Sequence, residues 1–426
     1  MGKAVYLVGG AVRDELLGLP HRERDWVVTG CTPEELLADG YRQVGASFPV
    51  FLHPETGEEY ALARTERKQG HGYHGFAVDF HPGVTLEEDL ERRDLTINAM
   101  ARDAGGRLID PFGGVRDLEA RVLRHVSPAF REDPLRVLRA ARFAARFAPL
   151  GFRVHPTTLN LMREIIGSGE LEHLAAERVW SEIASAMAAA EPGRFVEVLR
   201  ACGALAVLLP EVDRLFGVPQ LPEFHPEIDT GAHVLLAMNA AARADASPEA
   251  VFALLLHDLG KGLTPAADLP SHKGHEERGV PLVKAVCARL RAPLSFRDLA
   301  VLVCALHLRA HRLGEMKPAA VMRLAEDADL FRRPDRLEDI LAACAADYRG
   351  RKGLENRPYP QAGRLRTALE AARGVQARDL DIEGLGGEQI GARLREARIA
   401  AIAAAFATAN AASEAATTGG SADPAG

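Results

Sequence analysis

The feature that most constrains this chain is a change of hydrophobic period near Pro134. Ahead of it, apolar residues come in short runs, Val5 to Val8, Trp26 to Val28, Val50 to Leu52, Tyr60 to Ala63 and Phe76 to Phe80, punctuated by Gly and Pro, which predicts strands. Behind it, Ala, Leu and Arg recur at helical spacing, broken at Gly167-Ser168-Gly169, Pro192-Gly193 and Gly217-Val218-Pro219. The expected fold class is therefore α+β, a mixed head followed by a helical body. Three prolines without helical period between Phe216 and Pro226 predict a linker before a second helical unit. The Ala, Ser, Thr and Gly composition after Phe406 predicts a disordered tail.

At 426 residues the chain has room for two or three domains. With 52 Lys+Arg against 59 Asp+Glu its net charge is −7, so any nucleic-acid contact has to use a local basic surface. Cys31, Cys202, Cys287, Cys304 and Cys344 show no ligand-like spacing, which argues against disulfides and structural zinc and predicts a reducing, cytoplasmic setting. The apolar run Ala4 to Val8 is too short for a signal or a membrane span, so no membrane partner is expected.

Five segments carry chemistry in the first 150 residues. Leu7-Val8-Gly9-Gly10-Ala11-Val12-Arg13-Asp14 reads as a strand turning into a helix; the glycines serve either a tight turn or a phosphate cradle to which Arg13 adds a charged fork. Glu23 and Asp25 flank Arg24 at the start of a strand and share a face, so both can reach one hard cation; the alternative is a solvated charged loop. Glu59 opens another strand that can lie alongside, and three carboxylates holding Mg²⁺ suit in-line phosphoryl or nucleotidyl transfer. In Asp89-Leu90-Glu91-Arg92-Arg93-Asp94-Leu95-Thr96-Ile97-Asn98, the polar Thr96 and Asn98 need buried partners, of which a nucleotide is one. Finally, Asp133 and Pro134 predict an N-cap and first turn, after which Arg136, Arg139, Arg142 and Arg146 fall within one ~120° arc. Two neighbouring acids stand beside these four arginines, so an anionic ligand is the expected counter-charge.

Together, Gly9-Gly10-Ala11-Val12-Arg13-Asp14 with Leu16-Leu17-Gly18, Glu23-Arg24-Asp25, Arg92-Arg93-Asp94-Leu95-Thr96-Ile97-Asn98-Ala99 and Glu132-Asp133-Pro134-Leu135-Arg136 resemble the class II tRNA nucleotidyltransferase and bacterial poly(A) polymerase family. The resemblance is nearest to bacterial CCA-adding enzymes with a fused HD domain. It implies a polymerase-β-like nucleotidyltransferase head, an all-helical neck and body, and a helical HD domain. It implies that Gly10, Arg13, Arg93, Arg139 and Arg142 bind ATP or CTP and that Glu23 and Asp25 hold Mg²⁺. Asp133 and Arg136 would read the base: a carboxylate accepts from the exocyclic amine that cytosine and adenine share, and a guanidinium donates to a ring nitrogen or carbonyl. The family usually has Asp where Glu23 stands. The glycines of Arg67 to Pro82 resemble the flexible loop that switches such enzymes from C to A addition.

In the second helical unit, His257-Asp258 ends the apolar run Val251 to Leu256, where packing alone does not call for two polar ligands. With His233 and Asp347 this resembles the HD phosphohydrolases; His275 and His307 are further candidates, and His272 lies among them. The resemblance implies a site for Ni²⁺ or Mn²⁺ with phosphatase, 2′-nucleotidase and 2′,3′-cyclic phosphodiesterase chemistry. In such relatives Asp follows the position of His307, whereas Leu308 stands here.

The expected boundaries are 1–125 for the head, 126–222 for the neck and body, 223–350 for the HD domain, 351–405 for a helical tail and 406–426 for the disordered end. The expected activity is repair of the tRNA 3′-terminal CCA from CTP and ATP, by a monomer or homodimer. The alternatives are a poly(A) polymerase, or an HD hydrolase whose amino-terminal domain only binds nucleotide or RNA.

Overall fold

A computed structural model describes residues 2–20, 24–44, 50–68 and 76–418. It contains two compact units, Met1–Asp213 with Arg289–Arg291, and Arg214–Ala288 with Ala292–Gly426.

The first unit opens on a seven-stranded sheet built from β1 (Ala4–Val8), β2 (Asp25–Thr29), β3 (Arg42–Val44), β4 (Val50–Leu52) and β5 (Glu59–Leu62), closed by β8 (Ala101–Asp103) and β9 (Leu108–Ile109). Between β5 and β8 the chain forms a separate antiparallel ribbon, β6 (Thr65–Lys68) and β7 (Phe76–Asp79). The sheet order is β3-β4-β5-β2-β1-β8-β9. Only β2 and β5 run parallel; the other neighbours are antiparallel.

Alternation along β2 fixes what each face does. Val27 joins a buried cluster with Val8, Ala63, Leu90 and Ala101, while Val28 joins another with Leu36, Phe51, Tyr60 and Leu62. Side chains alternate across a strand, so Asp25 lies on the face of Val27 and Glu59 on that of Ala61 and Ala63. All five expected strands form; β3, β6, β8 and β9 are additional, the first three being mostly polar and β9 only two residues long.

The helix Leu135–Phe147 is the centre of the helical part of this unit, packing on the helices Ala176–Met187 and Gly193–Cys202 through Val137, Leu138, Ala141 and Ala144. It begins one residue later than expected: Pro134 is the N-cap, and Asp133 Oδ1 accepts from the Leu135 amide at 3.1 Å. A two-residue parallel bridge, Val122–Leu123 with Arg153–Val154, departs from the expectation of a purely helical neck.

In the second unit the helices Thr230–Arg243, Pro248–Leu256, Leu294–His311 and Arg336–Arg349 pack on one another. Every residue from Ala250 to Leu256 is buried, which sets His257 at the end of a fully enclosed helix. The tail expected to be disordered after Phe406 is instead helical as far as Thr418, within the helix Gly387–Thr418. Alanine forms helix at the lowest entropic cost of any residue, which carries the helix on from the buried Ile402 and Phe406 through the exposed residues 407–411. Residues 419–426 lie outside the described residues. Among the described residues no helix is long and apolar enough to cross a membrane.

Phe51 is fully buried on β4, which supports β5. Phe51→Ala is expected to cost about 3–5 kcal/mol, read as a lower denaturation midpoint in urea.

Candidate functional site

The end of β1 turns at Gly9, whose φ of 70° favours glycine, and Arg93 Nη1 lies 2.7 Å from where a Cβ would stand, so a larger residue would also have to displace that guanidinium. This turn forms one wall of a cavity of about 890 Å³. Asp25 and Glu59 are direct cross-strand partners on the parallel strands β2 and β5, and both line the cavity. Glu23 lies outside the described residues, as do 69–75 of the glycine-rich loop.

The opposite wall is made of arginines. Nine arginines against five carboxylates face the cavity among the described residues, so it is a cationic pocket on an acidic chain. The arginine face of the helix Leu135–Phe147 forms as expected, but its neutralisation differs from the sequence expectation. Arg139 Nε donates to Asp94 at 2.7 Å, Arg142 Nε to Glu182 at 2.6 Å, and Arg146 to Asp14 at 2.8 Å. These acids arrive from 40 to 132 residues away in sequence, so counting chain neighbours missed them. Thr96 and Asn98 likewise find protein partners: Thr96 Oγ1 donates to Asp117 at 2.8 Å and Asn98 Nδ2 to Asp94 at 2.9 Å.

Arg13 is 3% exposed, donates to Asp14 and Asn98, and lies 5.1 and 5.0 Å from the ring centres of Phe143 and Phe147. Burial lowers its pKa. Arg92 and Arg93 are both tied to the buried Asp89. Burial alone would raise the pKa of Asp94, but Arg139, Asn98 and Arg136 hold it far below the usual carboxylate range. Arg136 donates to the carbonyls of Ala129 at 2.9 Å and Arg92 at 2.6 Å. The second oxygen of Asp133 accepts from Arg178 at 2.8 Å. Arg178 and Glu182 were not singled out from the sequence, because their partners Asp133 and Arg142 are distant along the chain, whereas Asp89 pairs with Arg92 and Arg93 within its own segment.

The second unit gathers His233, His257, Asp258 and Asp347, all buried. Asp347 Oδ1 lies 2.9 Å from His233 Nε2 and 3.8 Å from His257 Nε2, while Asp258 Oδ2 lies 3.2 Å from His257 Nε2. His275 and His307 complete the cluster. His272 does not belong to it, being bonded to Thr264 and the Pro219 carbonyl. Three residues went unread: His311 bonds Asp347 at 2.7 Å, Glu227 Oε1 stands 3.0 Å from His233 Nδ1, and Lys261 bonds Asp258 at 2.7 Å. Burial opposes the charge of Asp258, but His257 and Lys261 hold it well below the carboxylate range; His311 and His233 do the same for Asp347. Burial and His257 push His307 down to about 3, so it stays neutral, as a metal ligand must. His257 Nε2 and Asp258 Oδ1 are buried without a hydrogen-bond partner among the described residues, a donor set that fits a cation. Leu308 is 37% exposed and stays outside the cluster.

These two centres define a class: a polymerase-type nucleotidyltransferase head carried in one chain with a helical HD domain. Residues 5–124 match the poly A polymerase head domain, 151–216 the probable RNA and SrmB-binding site of polymerase A, and 230–347 the HD domain. The chain is 61% identical to the multifunctional CCA protein of Thioalkalivibrio sulfidiphilus over 93% of its length and 97% of that protein, and 60% identical to that of Alkalilimnicola ehrlichii over 94% and 97%. It belongs to the multifunctional CCA protein family. Its fold is similar to that of the Bacillus stearothermophilus CCA-adding enzyme in complex with CTP, with a TM-score of 0.63 at 24% identity over 95% of this chain and 89% of that one. The Thermotoga maritima CCA-adding enzyme complexed with tRNA gives 0.57 at 22% identity over 95% and 91%.

Two predictions follow from these geometries. Asp94→Asn is expected to cost about 3 kcal/mol at neutral pH by stranding Arg139. A carboxylate with a depressed native pKa stabilises fully above its unfolded value near 4 and loses that stability as pH falls. The gap between wild type and variant should therefore narrow in denaturation curves below about pH 4. At Gly260 a Cβ would collide with the His275 carbonyl and stand 2.8 Å from the Gly279 amide. Gly260→Ala is expected to lose about 2 kcal/mol and to displace His275, read by thermal melting with and without added Mn²⁺.

Proposed function

We propose that this enzyme adds and repairs the 3′-terminal CCA of tRNA from CTP and ATP, releasing pyrophosphate. The observation that carries the reading is the pairing of Asp25 and Glu59 side by side on β2 and β5, facing a cavity lined by nine arginines. Carboxylate oxygens on neighbouring strands are hard ligands that suit Mg²⁺, so Asp25 and Glu59 fit that ion, and Glu23 is assigned with them from the sequence alone. When bound there, Mg²⁺ supplies Lewis-acid charge for the triphosphate and the RNA 3′-hydroxyl.

The protein groups do the positioning. Gly10, Arg13, Arg93, Arg139 and Arg142 supply the phosphate side of the cavity; each of these arginines has an edge held by a protein partner, which fixes the direction of the rest of its fork. Asp133 and Arg136 read the base edge, with Arg178 orienting the Asp133 carboxylate. Cytosine N4 and adenine N6 are amines from which this carboxylate accepts; uracil and guanine present a carbonyl oxygen, O4 or O6, at that position.

We assign His233, His257, Asp258 and Asp347 to a divalent-cation site of a phosphohydrolase acting as phosphatase, 2′-nucleotidase and 2′,3′-cyclic phosphodiesterase. A mixed imidazole and carboxylate set suits Ni²⁺ or Mn²⁺. Five buried free cysteines support a cytoplasmic setting.

The test is extension of tRNA ending at the discriminator base, with Mg²⁺, CTP and ATP, read at nucleotide resolution. Three additions are expected, falling at least 100-fold in Asp25→Ala, while Asp133→Ala admits UTP or GTP. A long A ladder in the wild type would instead identify a poly(A) polymerase. No extension would leave the amino-terminal unit a nucleotide- or RNA-binding module.

A further inference from the structure

We propose that Arg351 binds the phosphate group of the ester hydrolysed at the HD site. The inference rests on the reading of that site as a phosphohydrolase and adds to it a substrate-binding residue outside the buried histidine and aspartate cluster.

Arg351 stands on the turn that leaves the helix Arg336–Arg349, just beyond the residue Asp347. Both of its chain neighbours are seated beside His233. At Gly350 a Cβ would stand 2.4 Å from the Ala237 Cα and 2.6 Å from the Ala237 nitrogen, so only glycine lets the turn pass this close to the helix Thr230–Arg243. Ala237 lies one helical turn from His233 on the same face. On the other side, the Lys352 amide donates to Glu227 Oε2 at 3.3 Å, and Glu227 Oε1 stands 3.0 Å from His233 Nδ1. The backbone of Arg351 is thus held between two contacts that lead to His233.

The side chain is directed by Tyr348. The guanidinium carbon of Arg351 lies 5.4 Å from the centre of the Tyr348 ring. That ring is 5.9 Å from the ring of His311, whose Nε2 lies 2.7 Å from Asp347 Oδ2. Arg351 is therefore tied to the cluster twice, to His233 through its backbone and to Asp347 through the ring it rests on.

What Arg351 lacks is a counter-charge. The arginines of the nucleotide cavity are gripped by carboxylates, whereas the half-buried Arg351 side chain forms no ion pair and no hydrogen bond among the described residues, and its Nε is buried without a partner. Arg357 stands 5.3 Å from the centre of the same ring and likewise has no carboxylate paired to it among the described residues. The two guanidinium groups make a local excess of positive charge on an acidic chain. Lys261, which also reaches the cluster, is already bonded to Asp258 at 2.7 Å and to Gln220 at 2.6 Å. The anion that the HD reading brings to this place is a phosphate ester, and a guanidinium fork matches its oxygens. Arg351 makes or breaks no bond; it holds the phosphate by charge-assisted hydrogen bonds.

The test measures hydrolysis of 2′-AMP and of 2′,3′-cyclic AMP by the full chain with Mn²⁺, and inhibition of both reactions by inorganic phosphate. The monoester carries about two negative charges at pH 8 and the cyclic diester about one. Arg351→Gln is expected to raise KM for 2′-AMP and the inhibition constant of phosphate by about 10-fold or more, with kcat within about 3-fold of wild type. The rise for the cyclic substrate should be smaller, and bound Mn²⁺ by elemental analysis should equal that of wild type. Arg351→Lys keeps the charge without the fork, should show a smaller rise in the same order, and decides the question should Arg351→Gln not fold. An equal fall in kcat on both substrates with loss of bound Mn²⁺ would make Arg351 a support for His233 only and overturn the proposal. Unchanged KM and phosphate inhibition would overturn it too, leaving the phosphohydrolase reading intact. A wild-type protein that hydrolyses neither ester would overturn both readings.

Discussion

The nucleotide cavity depends on buried carboxylates that hold arginines by one edge. Asp14, Asp89, Asp94 and Glu182 are each less than a tenth exposed, and each grips a guanidinium that faces the cavity. A charge taken out of water is costly unless it is paired and hydrogen-bonded; Asp14, Asp94 and Glu182 are paired across distant segments, and Asp89 with Arg92 and Arg93 in its own segment. Asp94 is the hinge of this arrangement. It accepts from Asn98 and Arg139, while Asn98 in turn accepts from Arg13, so the first helix, the Thr96 segment and the helix Leu135–Phe147 are locked together. The result is a cationic wall in which each of these guanidinium groups has its direction set by a protein carboxylate.

The HD domain solves the converse problem with the same chemistry. There the buried groups are lone pairs and carboxylates, aligned by bonds on their far sides: His257 to the Leu254 carbonyl, His275 to that of His272, His307 to those of Val303 and Cys304. The first cavity is organised to receive anions, and the second cluster to receive cations. Gly260 allows the His257-Asp258 turn to lie directly against the start of the helix His275–Leu290, which is why a glycine follows the His-Asp pair so closely.

Much of the site was readable from local pattern. Period-two alternation placed Asp25 and Glu59 at strand starts, and the fully apolar stretch Val251 to Leu256 marked the polar pair at its end as anomalous. What local pattern could not supply was pairing. The counter-charges Asp14 and Glu182, the orienting contacts Arg178 to Asp133 and Glu227 to His233, and the protein partners of Thr96 and Asn98 all join residues through the tertiary fold. The alanine-rich end after Phe406, read from its composition as disordered, is helical as far as Thr418 although residues 407–411 are exposed, because alanine forms helix at low entropic cost.

The sequence by itself determined the α+β head, the helical remainder and the arginine face, because periodicity and residue chemistry are properties of neighbours along the chain. Tertiary structure decided that β2 and β5 run side by side in parallel, so that Asp25 meets Glu59, and that His233, His257, Asp258 and Asp347 share one buried point. Those are matters of register and of helix packing. Both are set by the burial of Val27, Val28 and Phe51 on the sheet and of Ala250 to Leu256 in the bundle, and the free energy of that burial depends on the whole fold.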